Sequence, residues 1–439
     1  MIVLKFGGTS IGSPERMKEI AAIIRHPAKK IVVLSAMAGT TNQLVEIASY
    51  LYSKNKDEAH LQINVLEKKY LEIIKELYQT ETYQKSGREL IYSHFQYIRS
   101  FTEDMFTLYE EKAILAQGEL LSTALFHYFL KEQGQDSCLL PALNFMRIDE
   151  NDEPNTSFIK ENLQKEMELH PEKSLYITQG YICRNSYGEI DNLKRGGSDY
   201  SASLIGAALK ADEIQIWTDI DGMHNNDPRY VNDTKPITHL SFDEAAELAY
   251  FGAKILHPSS VLPAAVAGIP VRLKNTMRPE ALGTMISSET SGEGIKAIAA
   301  KDDITAIKIK SGRMLLAYGF LRKVFEIFET YKTSIDMITT SEVAVSVTID
   351  DTKNLDQIIA ELKKYGLVEV ESNLSIICVV GDFIAESKGF ANQIFNAIKE
   401  IPIRMISYGG SRHNISFLVD TAHKKETLIV LNEKLFHHV

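Results

Sequence analysis

Two pairs of adjacent glycines, each beside a basic residue, constrain the fold of this 439-residue chain more than any other feature. Lys5-Phe6-Gly7-Gly8 ends an apolar run, and Arg195-Gly196-Gly197 opens a stretch of small residues typical of a helix. Paired glycines let a backbone approach an anion closely, and the free N–H groups at a helix start favour negative charge. Either turn alone is compatible with a tight connection between a strand and a helix. Together, each with its own cation, the two turns predict an anion-binding site.

Strand-like and helix-like segments alternate through the first two thirds of the chain. The strand-like runs are IVLKF (2–6), IVVLSA (31–36), LYITQGYI (175–182), EIQIWTD (213–219) and PVRLKN (270–275). Residues 42–133 contain few helix breakers and form a predicted helical block. This alternation predicts an α/β fold whose sheet is covered by helices on both faces. The small, polar segment 283–294 marks a boundary, so we expect the first domain at 1–288.

The C-terminal part of the chain contains an internal repeat, in which residues 319–350 match residues 389–420 at a constant offset of 70. Identical residues stand at Gly319/Gly389, Phe320/Phe390, Phe325/Phe395, Ser341/Ser411, Ser346/Ser416 and Asp350/Asp420. Duplicated modules usually pack side by side, although accidental similarity is an alternative. We expect two modules, at 303–371 and 372–439, with the second completed by a strand at 294–302.

Composition argues against several classes of function. The 48 Lys and Arg residues against 58 Asp and Glu residues give a net charge of −10, which disfavours nucleic acid or anionic membranes as partners. No apolar run approaches the roughly 20 residues that span a bilayer. The three cysteines, Cys138, Cys183 and Cys378, lie too far apart to indicate a disulfide framework or a structural zinc site. We expect a cytoplasmic protein that binds neither nucleic acid nor membranes.

Six separated motifs occur in the order in which aspartokinases carry them. They are KFGGTS (5–10), LSAMAGTTN (34–42), QGELLS (117–122), RGGSDYSA (195–202), WTDIDGMHNNDPR (217–229) and FGAKILHP (251–258). The chain therefore resembles aspartokinases of the monofunctional, lysine-sensitive type along its whole length. The resemblance implies a mostly parallel sheet of the amino-acid-kinase type between helices, followed by two βαββαβ (ferredoxin-like) ACT domains.

The resemblance also implies a reaction, the transfer of the ATP γ-phosphoryl group to the β-carboxylate of L-aspartate. A carboxylate with a pKa of about 4 is ionised at pH 7, so this acceptor needs no general base. The barrier is the approach of two anions, and catalysis is then mostly positioning and charge neutralisation. Mg²⁺ is expected through ATP phosphate oxygens and water, without a dedicated protein metal site.

By the same resemblance, Lys5 bridges the transferring phosphate and the β-carboxylate, and Arg195 holds the substrate α-carboxylate. The residues expected to be catalytic are Lys5, Arg195 and Asp199. Those expected to bind aspartate are Ser35, Thr41, Glu119, Arg195, Ser198 and Asp199. Simpler interpretations stay open: Lys5 as a strand-end surface lysine, Glu119 as an ordinary helix carboxylate, Ser35 and Thr41 as helix caps, and Asp199 as a carboxylate stabilised by the helix dipole.

The nucleotide site is also inferred from the family. Its expected residues are Lys5, Gly7, Gly8, Ser10, Thr218, Asp219, His224, Asp227, Arg229 and Lys254. At His224 the family usually has a tyrosine near the adenine, and a histidine ring offers less apolar area for stacking. Asp227 followed by proline is also compatible with a simple turn.

L-Lysine is the expected effector, bound at the first repeat. The residues expected there are Met314, Gly319, Leu321, Asp336, Thr340, Ser341 and Glu342, with Leu316 and Tyr318 departing from lysine-sensitive relatives. The carboxylates of Asp336 and Glu342 are alternatively solvated strand-end charges. Because the strands at 343–349 and 414–419 need partners, we expect a homodimer or homotetramer through the ACT domains.

Two other functions compete with this interpretation. A kinase acting on glutamate or N-acetylglutamate would share the fold, but such enzymes lack paired ACT modules and the FGAKILHP segment. A non-catalytic amino-acid sensor would keep the fold without the activity. The presence of Lys5, Arg195 and Asp199 argues against the sensor.

Overall fold

The computed structural model describes residues 1–26, 28–103, 105–193, 196–252, 256–290, 292, 294–311, 318–382 and 387–436. The chain divides into two compact units. The first comprises residues 1–223, 238–242 and 256–289, and the second comprises residues 224–237, 243–255 and 290–439.

Helices and strands alternate up to residue 289, as the sequence pattern predicts. In chain order they are β1 (Ile2–Phe6), α1 (Pro14–Ile23), β2 (Lys30–Leu34), α2 (Thr40–Tyr52), α3 (Lys56–Leu77), α4 (Glu81–Ser100), α5 (Leu108–Glu132), β3 (Cys138–Leu140), α6 (Ala142–Phe145), α7 (Thr156–Glu168), β4 (Leu175–Gln179), β5 (Ile182–Arg184), β6 (Ile190–Asn192), α8 (Gly197–Leu209), β7 (Glu213–Thr218), β8 (His239–Ser241), α9 (Phe242–Tyr250), α10 (Pro258–Ala267), β9 (Val271–Asn275) and β10 (Thr284–Ser287).

The first unit is built on an eight-stranded sheet with the order β3-β4-β2-β1-β7-β9-β10-β8. Its pairs are parallel except β9 with β10, which confirms the predicted mostly parallel sheet. Every residue of β2 and β4 is buried, as expected for central strands covered on both faces. The carboxyl ends of β1, β2, β4 and β7 therefore lie along one edge of the sheet, where α/β folds place their binding sites.

Helix α5 carries one of the predicted site residues past this edge. It starts with a capping box, in which Thr107 and Glu110 satisfy backbone N–H groups reciprocally. Most residues from Ala113 to Leu130 are buried, so the middle of the helix is covered on all sides. A buried helix of this kind holds the side chain of Glu119 in a fixed position beside the strand ends.

The second unit contains most of α9 and the helices and strands that follow residue 289. The latter are β11 (Gly294–Lys310), α11 (Phe320–Thr330), β12 (Ile338–Thr340), β13 (Ala344–Ile349), α12 (Leu355–Leu362), β14 (Leu367–Asp382), α13 (Phe390–Ala397), β15 (Met405–Tyr408), β16 (Asn414–Asp420) and α14 (Lys424–Phe436). The strands form one antiparallel sheet with the order β12-β13-β11-β14-β16-β15.

Two long strands, β11 and β14, serve both repeats. The first part of β11, Gly294–Lys301, pairs with Ile376–Asp382 of β14, and Ile304–Lys310 pairs with Leu367–Leu374. Each repeat has its own apolar core, one containing Ile307, Val324 and Val345, the other Ile298, Ile377 and Phe417. The strand that precedes the first repeat thus lies in the core of the second.

Two segments that precede residue 288, namely 224–237 and 243–255, belong to the second unit. Val231 is buried in the core of the second repeat, and Asn226 Nδ2 donates to the Leu428 carbonyl at 3.0 Å. A single cut near residue 288 therefore does not separate the two compact units, because apolar and amide groups of these segments complete the second one. The limits 1–288, 303–371 and 372–439 stay predictions.

Replacement of Val231 tests whether its segment is part of that core. Val231→Ala removes two methyl groups from a residue that is 4% exposed. We expect the free energy of unfolding to fall by about 2 kcal/mol. The matched control is Val266→Ala on α10, where the side chain is 81% exposed and the change should stay within about 0.5 kcal/mol. Urea denaturation followed by circular dichroism measures both. Equal stability of the two variants would contradict the assignment.

Candidate active site

An ion pair joins the two glycine motifs. Lys5 Nζ lies 2.7 Å from Asp199 Oδ1, and the two side chains are only 11% and 16% exposed. Lys5 lies near the end of β1, and Asp199 lies in the first turn of α8. A Cβ added at Gly7 would lie 3.5 Å from Lys5 Nζ. Lys5 is therefore not a strand-end surface lysine, because its ammonium is held beside the first glycine turn.

Glycine is required where α8 begins. Gly196 and Gly197 have φ of +72° and +45°, in the left-handed region. A Cβ at Gly196 would lie 2.5 Å from the Cβ of Ser260, so the turn also has no room for a side chain. The start of α8 carries the partial positive charge of its backbone N–H groups, which favours an anion. Arg195 lies outside the described residues.

Hydroxyl groups link the ends of three elements. Ser35 Oγ, just after β2, donates to Ser198 Oγ at 2.9 Å, and Ser122 Oγ on α5 donates to the Ser35 carbonyl at 2.7 Å. Gly180 lies so close to α8 that a Cβ there would be 2.4 Å from the Ser198 Cβ. The structure thus brings Ser35 and Ser198 together, as the motif resemblance implies, and Ser35 is not a helix cap.

Glu119 is a buried carboxyl group with one oxygen available. Its Oε1 accepts from the Ala36 N–H at 3.2 Å, whereas Oε2 is buried without a hydrogen-bond partner among the described residues. Burial raises the pKa of Glu119 to about 7, even though the bonds from backbone N–H groups act to lower it. Helix α5 can approach Ala36 closely because residue 118 is a glycine. A Cβ at Gly118 would lie only 2.8 Å from the Cβ of Ala36. Buried polar atoms without partners mark places where a ligand group is expected.

Two predicted residues occupy positions with a clear local role. Helix α2 is capped by Gly39, with φ of +79°, and Thr41 lies half-buried in its first turn, so Thr41 is not the cap. The hydroxyl of Ser10 is buried, 2.8 Å from Thr276 Oγ1 and 3.4 Å from the Trp217 carbonyl. Ser10 therefore holds the glycine turn against neighbouring strands through protein partners.

The motif analysis missed Tyr181. This residue follows Gly180 and has φ of +66°, a strained conformation for a bulky side chain. Its N–H donates to Ser201 Oγ at 2.8 Å, and its ring lies beside Gly197. Burial, assisted by the charges of Glu119 and Asp191, raises its pKa to about 12, so the phenol stays neutral. The signal in the sequence is the Gly-Tyr pair that ends the run LYITQGYI.

Two predicted nucleotide residues of the first unit, Thr218 and Asp219, lie at the end of β7. Thr218 Oγ1 donates to Asp219 Oδ1 at 3.1 Å, and both residues are accessible. The backbone of Gly8 passes close to Ala36. A Cβ added at Gly8 would lie 3.0 Å from the Ala36 carbonyl oxygen. These groups follow the strands β7 and β1, which are neighbours in the sheet. The structure thus leaves Thr218 and Asp219 accessible at the carboxyl edge.

The other predicted nucleotide residues lie in the second unit, apart from Lys254, which is outside the described residues. His224 Nδ1 lies 2.9 Å from Thr234 Oγ1, and burial lowers the pKa of the imidazole. Arg229 donates from Nε and from its terminal nitrogen to the Asp227 carboxylate at 2.6 to 3.1 Å. Burial acts to raise the pKa of Asp227, but the bonds from Arg229 outweigh it and leave the pKa lowered.

The predicted effector residues of the first repeat surround α11 and β12. Gly319 caps α11 with φ of +85°, Leu321 is partly exposed in the first turn, and Thr340, Ser341 and Glu342 lie exposed at the end of β12. Asp336 is different, because its side chain is only 1% exposed and accepts bonds from Tyr250 and Lys301. It is not a solvated strand-end charge. Met314 and Leu316 lie outside the described residues.

The described parts of the chain contain neither a metal-ligand cluster nor a membrane-spanning helix. Within these ranges no group of three or more His, Cys, Asp or Glu side chains has the spacing of a metal site. Of the helices described, none is both long enough and apolar enough to cross a membrane.

Comparison with known families agrees with this organisation. A family model described as the amino acid kinase family matches residues 1–275, and one described as an ACT domain matches residues 377–435. The first match covers the strands that form the candidate site, and the second covers most of the second repeat.

Curated relatives and solved structures match nearly the whole chain. Lysine-sensitive aspartokinase 3 of Escherichia coli strain K12 is 34% identical over 459 residues, covering 99% of both chains. Aspartokinase 3, chloroplastic, of Arabidopsis thaliana is 36% identical over 465 residues, covering 99% of this chain and 81% of the relative. The crystal structure of E. coli aspartokinase III in complex with aspartate and ADP has a TM-score of 0.84 at 32% identity and covers 99% of this chain and 100% of that one. The same enzyme in complex with lysine and aspartate gives 0.82 at 31% identity, with 99% of each chain covered.

The family resemblance stated from the motifs is therefore confirmed. A kinase-domain match over more than half of the chain, a relative that is 34% identical and covered to 99%, and the Lys5–Asp199 site at the sheet edge agree with one another. The chain is an enzyme that belongs to the aspartokinase family of amino acid kinases.

Proposed function

We propose that this enzyme transfers the γ-phosphoryl group of ATP to the β-carboxylate of L-aspartate, forming 4-phospho-L-aspartate and ADP. The observation that carries the proposal is the largely buried ion pair of Lys5 and Asp199 where two glycine turns meet. Among the relatives, one solved aspartokinase holds aspartate and ADP. The proposed reaction would open the aspartate-derived pathway to lysine, threonine and methionine.

Lys5 supplies the charge that this reaction needs. A carboxylate and a triphosphate repel each other, and a single ammonium between them offsets the repulsion more strongly in a poorly hydrated site than in water. An ammonium has three donors, so Lys5 can keep its ion pair with Asp199 and still donate to further oxygens. Asp199 holds the ammonium in place before the substrates arrive. We therefore assign Lys5 to charge neutralisation and Asp199 to the positioning of Lys5.

Aspartate recognition follows from the groups around the ion pair. The free Oε2 of Glu119 is placed to accept a bond from the α-ammonium, and the hydroxyls of Ser35 and Ser198 offer further polar contacts. The ring of Tyr181 lies beside the start of α8 and narrows the space there. Roles for Thr41 and for Arg195, as the partner of the α-carboxylate, rest on the family resemblance.

We propose that ATP enters with Mg²⁺, which is held through phosphate oxygens and water because Mg²⁺ gives up its water ligands reluctantly. In the first unit, the glycine turn of Gly7 and Gly8 would bring backbone close to the phosphates, and Thr218 and Asp219 lie at the end of the neighbouring strand β7. Nucleotide roles for His224, Asp227, Arg229 and Lys254 rest on the family resemblance. The ion, when bound, supplies charge neutralisation of the phosphates.

Regulation and assembly are the last parts of the proposal. A relative is named lysine-sensitive, and a solved relative holds lysine and aspartate, so we propose L-lysine as an inhibitor that acts through the first repeat. Strands β12 and β15 are at the two ends of the six-stranded sheet, where unpaired backbone groups favour association with another chain. We propose a homodimer or homotetramer formed through the ACT repeats, in the cytoplasm.

A substrate comparison tests the reaction. The enzyme is incubated with ATP and Mg²⁺ plus L-aspartate, L-glutamate or N-acetyl-L-glutamate, and the acyl phosphate is trapped with hydroxylamine. We expect aspartate to exceed glutamate by tenfold or more in kcat/KM, the usual penalty for one extra methylene. Equal rates with glutamate would contradict the substrate, and amino-acid binding without any hydroxamate would favour the sensor.

The pKa of Glu119 predicts how aspartate binding depends on pH. Burial raises this pKa to about 7, so the group becomes protonated and neutral as the pH falls below 7. A neutral carboxyl group attracts the substrate ammonium less, so the KM for aspartate should rise by up to about tenfold per pH unit below 7. Glu119→Gln should have a high KM that no longer varies in this range. An identical pH profile in the two enzymes would exclude Glu119 from substrate binding.

Light scattering tests the assembly. At micromolar concentration we expect the mass of a dimer or a tetramer, because the edge strands β12 and β15 carry partly exposed apolar residues such as Ile338 and Ile406. A mass equal to that of a single 49.3 kDa chain at every concentration would contradict the proposal.

A further inference from the structure

Strand β11 carries two adjacent charged residues that form separate ion pairs. Lys301 and Asp302 stand where the pairing of β11 with β14 shifts register, next to Asp303, which has φ of +61°. This irregularity lies between the part of β11 that serves the second repeat and the part that serves the first. Each of the two residues is joined to a tyrosine through a partner of opposite charge.

The Lys301 cluster has an open acceptor. Lys301 Nζ lies 2.7 Å from Asp336 Oδ1 and 2.9 Å from Asp350 Oδ2, and 4.5 Å from the centre of the Tyr250 ring. Tyr250 donates its hydroxyl to the same Asp336 Oδ1 at 2.7 Å. The other oxygen, Asp336 Oδ2, is buried without a hydrogen-bond partner among the described residues. Two carboxylates and one ammonium leave a net charge of −1, which suits a further ammonium group.

The protonation states in this cluster are fixed by the same contacts. Burial opposes the charge on Lys301, but the two carboxylates outweigh it and raise its pKa, so Lys301 is charged at neutral pH. Burial, and then the bond to Asp336, raise the pKa of Tyr250, so the phenol keeps its proton and acts as the donor. An ammonium that reaches Asp336 Oδ2 must therefore share one carboxylate with Lys301 and with the hydroxyl of Tyr250.

The Asp302 cluster contains the same kinds of side chain but is closed, and its tyrosine accepts from the lysine instead of donating to the carboxylate. Lys424 Nζ lies 2.5 Å from Asp302 Oδ2 and 3.0 Å from the hydroxyl of Tyr230, and 4.2 Å from the centre of the Tyr230 ring. The second oxygen of Asp302 accepts from Ser375 at 2.8 Å. One carboxylate and one ammonium balance, and both oxygens have partners. This cluster provides an internal control for the first.

Tyr250 belongs to a segment that is tightly fixed within the second unit. A Cβ at Gly252 would lie 2.2 Å from the Ala300 carbonyl oxygen, and Glu247 on α9 accepts from the side-chain amide of Asn414. Residues 243–255 are covalently continuous at both ends with residues of the first unit. A change in the contacts of Tyr250 therefore affects a segment that is covalently joined to the first unit.

We propose that the hydroxyl of Tyr250 couples an amine bound at Asp336 to the rate of the kinase. This inference rests on the proposed lysine regulation and adds the residue that transmits it. A ligand shifts a conformational equilibrium only through different affinities for the two states. The hydrogen bond from Tyr250 to Asp336 supplies such a difference. A bound ammonium competes with the Tyr250 hydroxyl for the negative charge of the Asp336 carboxylate. Tyr250 is a positioning residue and touches no reactant.

Tyr250→Phe tests the proposal by removing one oxygen atom and keeping the ring. We expect the uninhibited kcat to stay near that of the parent and lysine to remain bound in titration calorimetry. The lysine concentration for half inhibition should rise about tenfold or more, as expected for the loss of one hydrogen bond to a charged group. If the Tyr250 hydroxyl had only a structural role, Tyr250→Phe would shift the unfolding midpoint, and lysine binding and inhibition would change together.

Tyr230→Phe is the matched control, since it makes the same change in the closed cluster, and its half-inhibiting lysine concentration should stay within about twofold of the parent. Asp336→Ala should abolish both lysine binding and inhibition. If the parent neither binds lysine nor is inhibited, the proposed regulation fails and this inference with it. If the parent is inhibited but Tyr250→Phe is inhibited equally, or Tyr230→Phe weakens inhibition as much, the inference alone is overturned.

Discussion

The arrangement of the candidate site depends on one buried ammonium group. A lysine that is largely withdrawn from water needs a counter-charge, and Asp199 provides it at 2.7 Å. This requirement ties the end of β1 to the first turn of α8, and both connections can approach only because glycine occupies the turns. The paired hydroxyls of Ser35 and Ser198 and the half-satisfied carboxyl of Glu119 lie around the same junction. Contacts within the protein therefore hold the groups of the candidate site in place.

Lys5, Ser35 and Asp199 could be assigned to one site because the motifs that carry them resemble those of aspartokinases. The folded sheet supplies the physical reason, since β1 and β2 are parallel neighbours whose carboxyl ends share one edge. Tyr181 was missed because its positive φ is imposed by packing against α8 and leaves no local pattern beyond a preceding glycine. Ser10 lies in the expected motif, but its hydroxyl is used by Thr276, a partner that only the folded sheet brings near.

The make-up of the second unit could also be predicted only in part from the sequence. The repeat at an offset of 70 predicted two modules of the ACT type, whereas the sequence did not indicate that 224–237 and 243–255 pack with them. That packing depends on contacts between distant residues, such as Val231 in the core of the second repeat and Tyr250 on Asp336. The burial of Asp336 likewise depends on Lys301, which lies on a different strand. Segments that the sequence assigns to the first domain therefore belong to the second compact unit.

The central claim is that Lys5 provides the catalytic charge and that Asp199 acts by positioning it. A double-mutant cycle with Lys5→Met, Asp199→Asn and the combined variant, assayed for kcat at saturating aspartate and ATP, tests this most directly. The account predicts a loss of about 100-fold or more for Lys5→Met, and little further loss when Asp199→Asn is added. An unchanged kcat for Lys5→Met, or losses that multiply in the combined variant, would contradict it.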